Sequence, residues 1–243
     1  MNILETKDLD KHFGGVAAVD RLSISIEKGK ITGIVGPNGS GKTTLVNVLS
    51  GVFPMNGGAV VVDGVELQKI GAPKVASYGI TRTFQEVRLF NQMPVLDNIL
   101  IAFTERNFFG ALFERHSVYH LERTEELLRK VNLWEKRNEM AGNLSYGQRK
   151  LLEIARALAM DAGIYLFDEP FAGLFPEMVK IVVTVLKELR AEGKTSVLIE
   201  HNMDLIRELS DHVIVMDSGR LLAEGTPNEV LAERKVIEAY LGE

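Results

Sequence analysis

The run GPNGSGKTT, residues 36–44, stands between the apolar stretch ITGIV (31–35) and the apolar stretch LVNVLSG (45–51). Gly36, Gly41, Lys42 and Thr43 satisfy the spacing G-x-x-x-x-G-K-[ST], and the flanks predict the strand and the helix that such a loop joins. A phosphate group needs several donors converging from a concave backbone, which side chains at Gly39 and Gly41 would obstruct. The amides of Pro37-to-Thr44 surroundings (Asn38, Gly39, Ser40, Thr44) and the helix N-terminus then face an anion. Lys42 can reach β- and γ-phosphates, and the Thr43 hydroxyl can ligate Mg²⁺.

Outward from this loop the chain alternates strands with helices, the pattern of an α/β fold. Strands are expected at Asn2–Lys7, Leu22–Glu27, Ile31–Val35, Ala59–Val62, Ile164–Phe167, Ser196–Glu200, Val213–Met216 and Leu221–Ala223. The runs IYLF, SVLIE and VIVM are continuously apolar, which suits strands of a parallel sheet buried on both faces. Helices are expected at Lys42–Ser50, Val118–Val131, Tyr146–Met160, Pro176–Ala191, Met203–Leu209 and Pro227–Ala232. The last opens on TPNE, with Thr226 as cap, Pro227 in the first turn and Glu229 closing a capping box. Residues 86–158 read as mostly helical and divide two strand-rich parts, so the expected organisation is a core of 1–85 and 159–243 with a helical subdomain at 86–158.

Composition limits the function. The 243 residues carry a net charge of −5, so no general attraction to nucleic acid is expected. The absence of cysteine excludes disulfides, thiolate metal sites and cysteine catalysis. No apolar run is long enough to span a bilayer, and the start MNILETKDLDKHF lacks the apolar core of a signal peptide.

Two further stretches carry chemistry. IYLFDEP ends an apolar strand on Asp168 and Glu169, at the sheet edge where open α/β folds bind ligands. Asp168 there suits a metal, held directly or through water, and Glu169 suits orienting and deprotonating a water. LSYGQRKLLEIARAL predicts a helix capped by Ser145, with Gln148 three residues on and Leu151, Leu152, Ala155 and Leu158 on one face. Its N-terminus, bearing Ser145 and Gly147, is a second candidate anion site. Two half-sites in one chain imply that two chains share each nucleotide.

In this order and spacing the sequence resembles an ABC transporter ATPase subunit. GPNGSGKTT resembles the Walker A loop, TFQ with Gln85 the Q-loop, LSYGQ the signature, IYLFDEP the Walker B strand with its glutamate, and EHN with His201 the switch histidine. More narrowly, TRTFQEVRLF, NLSYGQRKLLEIARAL, DEPFAGLFP and IEAYLGE resemble ATPases of the branched-chain amino acid importer family. The resemblance implies a P-loop NTPase core of RecA-like type with an antiparallel β subdomain and a helical subdomain. It implies that two subunits, alike or related, pair head to tail around ATP and Mg²⁺. Ser145, Gly147 and Gln148 would then meet the γ-phosphate held by the partner, with Tyr146 among the nucleotide-binding residues of the same stretch. Gln85 would contact the metal and relay closure, His201 would reach the γ-phosphate and Glu169, and Phe13 would stack on adenine. Integral membrane permease subunits, and indirectly a solute-binding protein, are the implied partners, with the chain peripheral at the cytoplasmic face of the membrane.

Two positions depart from the common pattern: Tyr146 replaces the first glycine of LSGGQ, and Phe175 stands where many members carry a D-loop aspartate. Next to Gln85, the apolar residues Leu89, Phe90, Met93 and Val95 suit either a permease helix or internal packing. Phe108, Phe109, Leu112 and Phe113 allow internal packing, permease contact or lipid contact. A P-loop kinase or GTPase has no use for LSYGQ, and no guanine-reading N-K-x-D stretch is found. An ABC-type ATPase without a permease, or the ATPase of a lipid or lipopolysaccharide exporter, stays open as an alternative.

Overall fold

The computed structural model describes residues 1–103 and 118–241. Phe108, Phe109, Leu112 and Phe113 lie outside them. The described residues divide into two compact units, one of residues 1–82, 163–169 and 186–243 and one of residues 83–162 and 170–185.

The first unit contains two sheets. One is formed by β1 (Asn2–Phe13), β2 (Val16–Leu22), β3 (Ser25–Glu27), β5 (Gly57–Val62) and β6 (Val65–Leu67), in the order β2-β1-β5-β6 with β3 also pairing β1, all antiparallel. The other takes β4 (Ile31–Val35), β7 (Ile80–Arg82), β8 (Ile164–Asp168), β9 (Thr195–Ile199), β10 (His212–Asp217) and β11 (Arg220–Gly225), in the order β11-β10-β4-β9-β8-β7. Only the β10–β11 pair is antiparallel there. Strands β4, β8 and β9 are buried at every residue, as their continuous apolar runs predict. Helix α1 (Lys42–Leu49) contributes Leu45, Val46, Val48 and Leu49 to one core cluster. That cluster also takes Leu4, Leu9 and Val60 from the antiparallel sheet and Ile34, Leu166, Val197 and Ile199 from the parallel one. Burial from both sheets therefore fixes the helix that begins at the glycine loop.

Two strand expectations change. The predicted strand Leu22–Glu27 divides, because the Thr6 hydroxyl donates to the Leu22 carbonyl at 2.7 Å and accepts from the Ile24 N–H at 3.1 Å, replacing ladder bonds with a side chain. Strand β1 outlasts its predicted end at Lys7. A bulge falls between Lys7 and Asp10, where Asp8 takes a φ of 44°, and pairing resumes as far as Phe13. The helix at Thr226 starts where expected, with Pro227 in its first turn, but Thr226 makes no cap: its hydroxyl donates to the Glu229 carboxylate instead.

In the second unit, α2 (Val95–Phe103), α3 (Val118–Lys130) and α4 (Tyr146–Ala159) pack pairwise. Their shared core includes Ile99, Leu127, Leu128, Leu151, Leu152 and Ala155. Neither α2 nor the last helix, Arg234–Leu241, was expected, since neither is marked by a capping sequence. No helix among the described residues is long and apolar enough to cross a membrane.

Candidate functional site

In the first unit the glycine loop leaves β4 and enters α1 through three positive-φ glycines: Gly36 at 150°, Gly39 at 81° and Gly41 at 100°. Two of them are required twice over. A Cβ at Gly36 would lie 2.1 Å from the Met216 carbonyl oxygen, and one at Gly41 would lie 2.2 Å from that of Ala18. The neighbouring strands thus press the loop into its curve. Lys42 is buried and folds over the loop, its Nζ donating to the carbonyls of Gly36 and Pro37 at 2.9 Å each and to Ser40 Oγ at 3.2 Å. Burial pushes the Lys42 ammonium below its ordinary pKa, against the pull of the Glu169 and Asp168 carboxylates. Asn38 and Gly39 at the loop tip are exposed, while Thr43 and Thr44 are half-buried on the first turn of α1. Tyr240, in the last helix, brings its phenol to the backbone of Gly36, and burial pushes that phenol up to about 12.

Sheet order brings the other polar residues of this unit to the same edge. Strand β9 lies between β4 and β8 and is parallel to both, so the three C-terminal ends align although they are far apart in sequence. Glu169 follows β8 with a φ of 50°, its N–H bonded to the Ile199 carbonyl at 3.0 Å. A left-handed, non-glycine residue held by its neighbours is the kind of strain found at functional positions. The Glu169 carboxylate lies 3.2 Å from His201 Nε2. Asn202 ends the β9 exit by capping the helix Met203–Leu209, its side chain accepting from the N–H groups of Asp204 and Leu205. That cap sets the direction of the chain at His201.

Asp168 is 1% exposed and forms a buried ion pair at 2.8 Å with Arg82, the last residue of β7. The same guanidinium donates to Asn47 Oδ1 at 2.7 Å and Ser50 Oγ at 2.8 Å on the end of α1. Sequence reasoning missed Arg82, and no local signal marks it, since its partner Asp168 lies 86 residues away.

Phe13 is 45% exposed at the end of β1. Its ring meets Phe53 edge-on at 5.2 Å between centroids, and Lys11 Nζ lies 4.8 Å from the Phe13 centroid. An aromatic face backed by a second ring can stack on a planar base.

The second unit holds the remaining predicted residues. Gln85 is exposed in a stretch without helix or strand. Ser145 caps α4 as predicted: the Gln148 N–H donates to its Oγ at 3.3 Å, and the Ser145 N–H donates to the Gln148 side chain at 3.0 Å. Since Ser145 Oγ accepts that bond, its own proton is available to a phosphate oxygen. The signature and the loop after Glu169 interlock through glycines. A Cβ at Gly147 would lie 2.5 Å from Met178 Sδ, and a Cβ at Gly173, which has a φ of 72°, would lie 2.9 Å from the Tyr146 ring. Tyr146 thus occupies the face of Gly173, and Phe175 two residues on is 73% exposed. Among the apolar residues near Gln85, Phe90 is exposed, Leu89 and Met93 are half-buried, and Val95 is fully buried, so Val95 serves the core.

A glycine loop entering a helix beside an acidic strand end, in a mostly parallel sheet, defines a P-loop nucleotide-binding ATPase. Residues 19–172 match the family model described as ABC transporter, and residues 220–243 match the one described as Branched-chain amino acid ATP-binding cassette transporter. A curated relative, the high-affinity branched-chain amino acid transport ATP-binding protein BraF of Pseudomonas aeruginosa, is 40% identical over 250 residues, covering 99% of this chain and 98% of the relative. The crystal structure of an ATP-binding cassette of an ABC transporter in its ADP conformation superposes with a TM-score of 0.87 at 36% identity, covering 100% of both chains. A dimeric cassette in a post-hydrolysis state bound to ADP and Pi gives a TM-score of 0.81 at 25% identity, covering 92% of this chain and 98% of that one. The chain belongs to the ABC transporter family, as one of its ATP-binding, ATP-hydrolysing subunits.

Proposed function

We propose that this subunit drives the import of branched-chain amino acids or closely related small solutes through membrane permeases. The chemistry rests on one observation above all: Glu169 and His201 are paired at 3.2 Å on the strand edge that also carries the Lys42 loop. In this reading the γ-phosphate lies against the loop amides and Lys42. Glu169 takes a proton from the attacking water, and His201, hydrogen-bonded to Glu169, orients that carboxylate and contacts the γ-phosphate. Phe13 stacks on adenine.

The oxygen donors Thr43 and Asp168 fit Mg²⁺. Among the described residues no group of three or more His, Asp, Glu or Cys converges on a metal. Mg²⁺ requires no such cage, since one or two carboxylates and the substrate phosphates suffice. When bound, it would neutralise charge on the phosphates. Gln85 is assigned to the same metal and to reporting nucleotide state to the permeases.

A second subunit, alike or related, completes each site by offering Ser145, Gly147 and Gln148 to the γ-phosphate, with Tyr146 in the same nucleotide-binding stretch. ATP then favours the closed pair, and permeases that prefer that state follow it by differential affinity. Such a subunit is peripheral at the cytoplasmic face of the membrane, where exposed Phe90 is a candidate permease contact. The cargo assignment is supported by the relatives' names and by the match at 220–243.

Affinity purification of the tagged protein from native membranes in mild detergent, with mass spectrometry, tests this reading. Co-purification of polytopic permeases, a second ATPase and a solute-binding protein whose ligand is leucine, isoleucine or valine is the expected result. Recovery of no membrane partner, or of lipid-export components, overturns it.

A further inference from the structure

The stretch from Thr83 to Phe90 contains neither helix nor strand, so its path depends on bonds to neighbouring elements. Within the second unit Asn98 of α2 holds its end, accepting from the Phe90 N–H at 3.0 Å and donating to the Phe90 carbonyl at 3.1 Å, and α4 holds the part around Gln85. Glu153, two turns into that helix and 3% exposed, accepts hydrogen bonds from the Phe84 N–H at 3.4 Å and the Arg88 N–H at 3.3 Å, both onto Oε1. Arg156, one turn further on, donates to the Arg88 carbonyl. The Arg88 guanidinium in turn covers the Phe84 ring, 4.0 Å from its centroid, folding the stretch onto itself. A buried carboxylate is costly unless bonded, and so are backbone amides taken from water. Glu153 and the two amides therefore satisfy one another, and they do so on either side of Gln85.

We propose that Glu153 is the positioning residue for Gln85, with Arg156 as its accessory. Glu153 touches neither phosphate nor water in the chemistry described above. It ties the backbone around Gln85 to the helix whose N-terminus carries Ser145 and Gly147. A displacement of that helix carries Gln85 with it, so the engagement of the signature and the placement of Gln85 are one mechanical event. The inference rests on the reading of Gln85 given under the proposed function.

The test uses the full chain as wild type, Glu153→Leu, Glu153→Gln and Gln85→Ala, with amide hydrogen exchange over residues 84–90 and steady-state ATP hydrolysis. Glu153→Leu is expected to speed exchange at the Phe84 and Arg88 amides and to lower kcat by about tenfold or more, the scale of a misplaced group, with KM for ATP unchanged. The Glu153→Gln side-chain oxygen still accepts both amides, so this variant is expected to keep wild-type exchange and most of kcat. Should Glu153→Leu fail to fold, Arg156→Ala removes the bond to the Arg88 carbonyl and the contact with the Phe90 ring while leaving Glu153 in place, and is expected to speed the same exchange to a smaller degree. Unchanged exchange at 84–90 overturns the clamp. Faster exchange with kcat intact, while Gln85→Ala is impaired, overturns the positioning role. A Gln85→Ala variant with normal turnover overturns the reading of Gln85 itself, and the exchange data then still decide whether Glu153 holds the stretch.

Discussion

Arg82 Nη2 lies 2.8 Å from Asp168 Oδ2, with both side chains almost entirely removed from solvent. Through Asn47 and Ser50 the same guanidinium also holds the last turn of α1, so one positive charge joins the acidic strand end to the helix that begins at the phosphate loop. Removing one member of a buried pair takes a counter-charge away from the other, at a cost of about 3–5 kcal/mol. Arg82→Ala is therefore expected to lower unfolding free energy by about that amount in urea denaturation. A variant as stable as wild type would show that Asp168 does not depend on this partner.

Glu169→Gln keeps the shape of the side chain and removes its basicity. Hydrolysis is expected to fall by about a hundredfold or more, the usual contribution of a positioned general base. ATP binding is expected to persist, and a dimer to accumulate with ATP in size-exclusion chromatography. Turnover at the normal rate would take the role of base away from Glu169.

Lys42→Ala removes the only ammonium that folds over the loop among the described residues. Charge-assisted hydrogen bonds contribute about 1.5–3 kcal/mol each, so nucleotide affinity is expected to drop by about tenfold or more. Titration with a fluorescent ATP analogue measures this directly, and unchanged affinity contradicts it.

Gly173→Ala places a methyl group against the Tyr146 ring at a φ of 72°. It is expected to destabilise the chain by about 1–3 kcal/mol, combining backbone strain with the cost of moving the ring. In a Tyr146→Gly background the steric part disappears and only the backbone part persists. A double-mutant cycle on thermal unfolding reads the difference as a coupling energy, and zero coupling would mean that the two residues do not interlock.

Much of this architecture was legible because local chemistry and local pattern agree. Continuous apolar runs gave away the buried parallel strands, and Ser145 with Gln148 forms the capping box that their spacing implies. The nucleotide loop was legible because its own backbone demands glycine. Thr226 shows the limit of such reasoning: the hydroxyl had a choice between a backbone N–H and the Glu229 carboxylate, and took the charged acceptor. Strand β2 and helix α2 escaped notice because neither carries a strong terminus signal, and their boundaries are set by pairing with β1 and by packing against α3 and α4.

The sequence by itself determined the class of chemistry: the glycine loop, the acidic strand end, His201 after its strand and the helix capped by Ser145 are each legible within a short stretch of chain. Only the tertiary structure decided how these pieces are held. Arg82 finds Asp168 at a separation of 86 residues, and Glu153 finds Phe84 and Arg88 at separations of 69 and 65. In the sequence a lone arginine or glutamate has the same appearance whether it faces water or a buried partner. Strand order and helix packing bring the partner within 3–4 Å, and burial then makes the pairing obligatory.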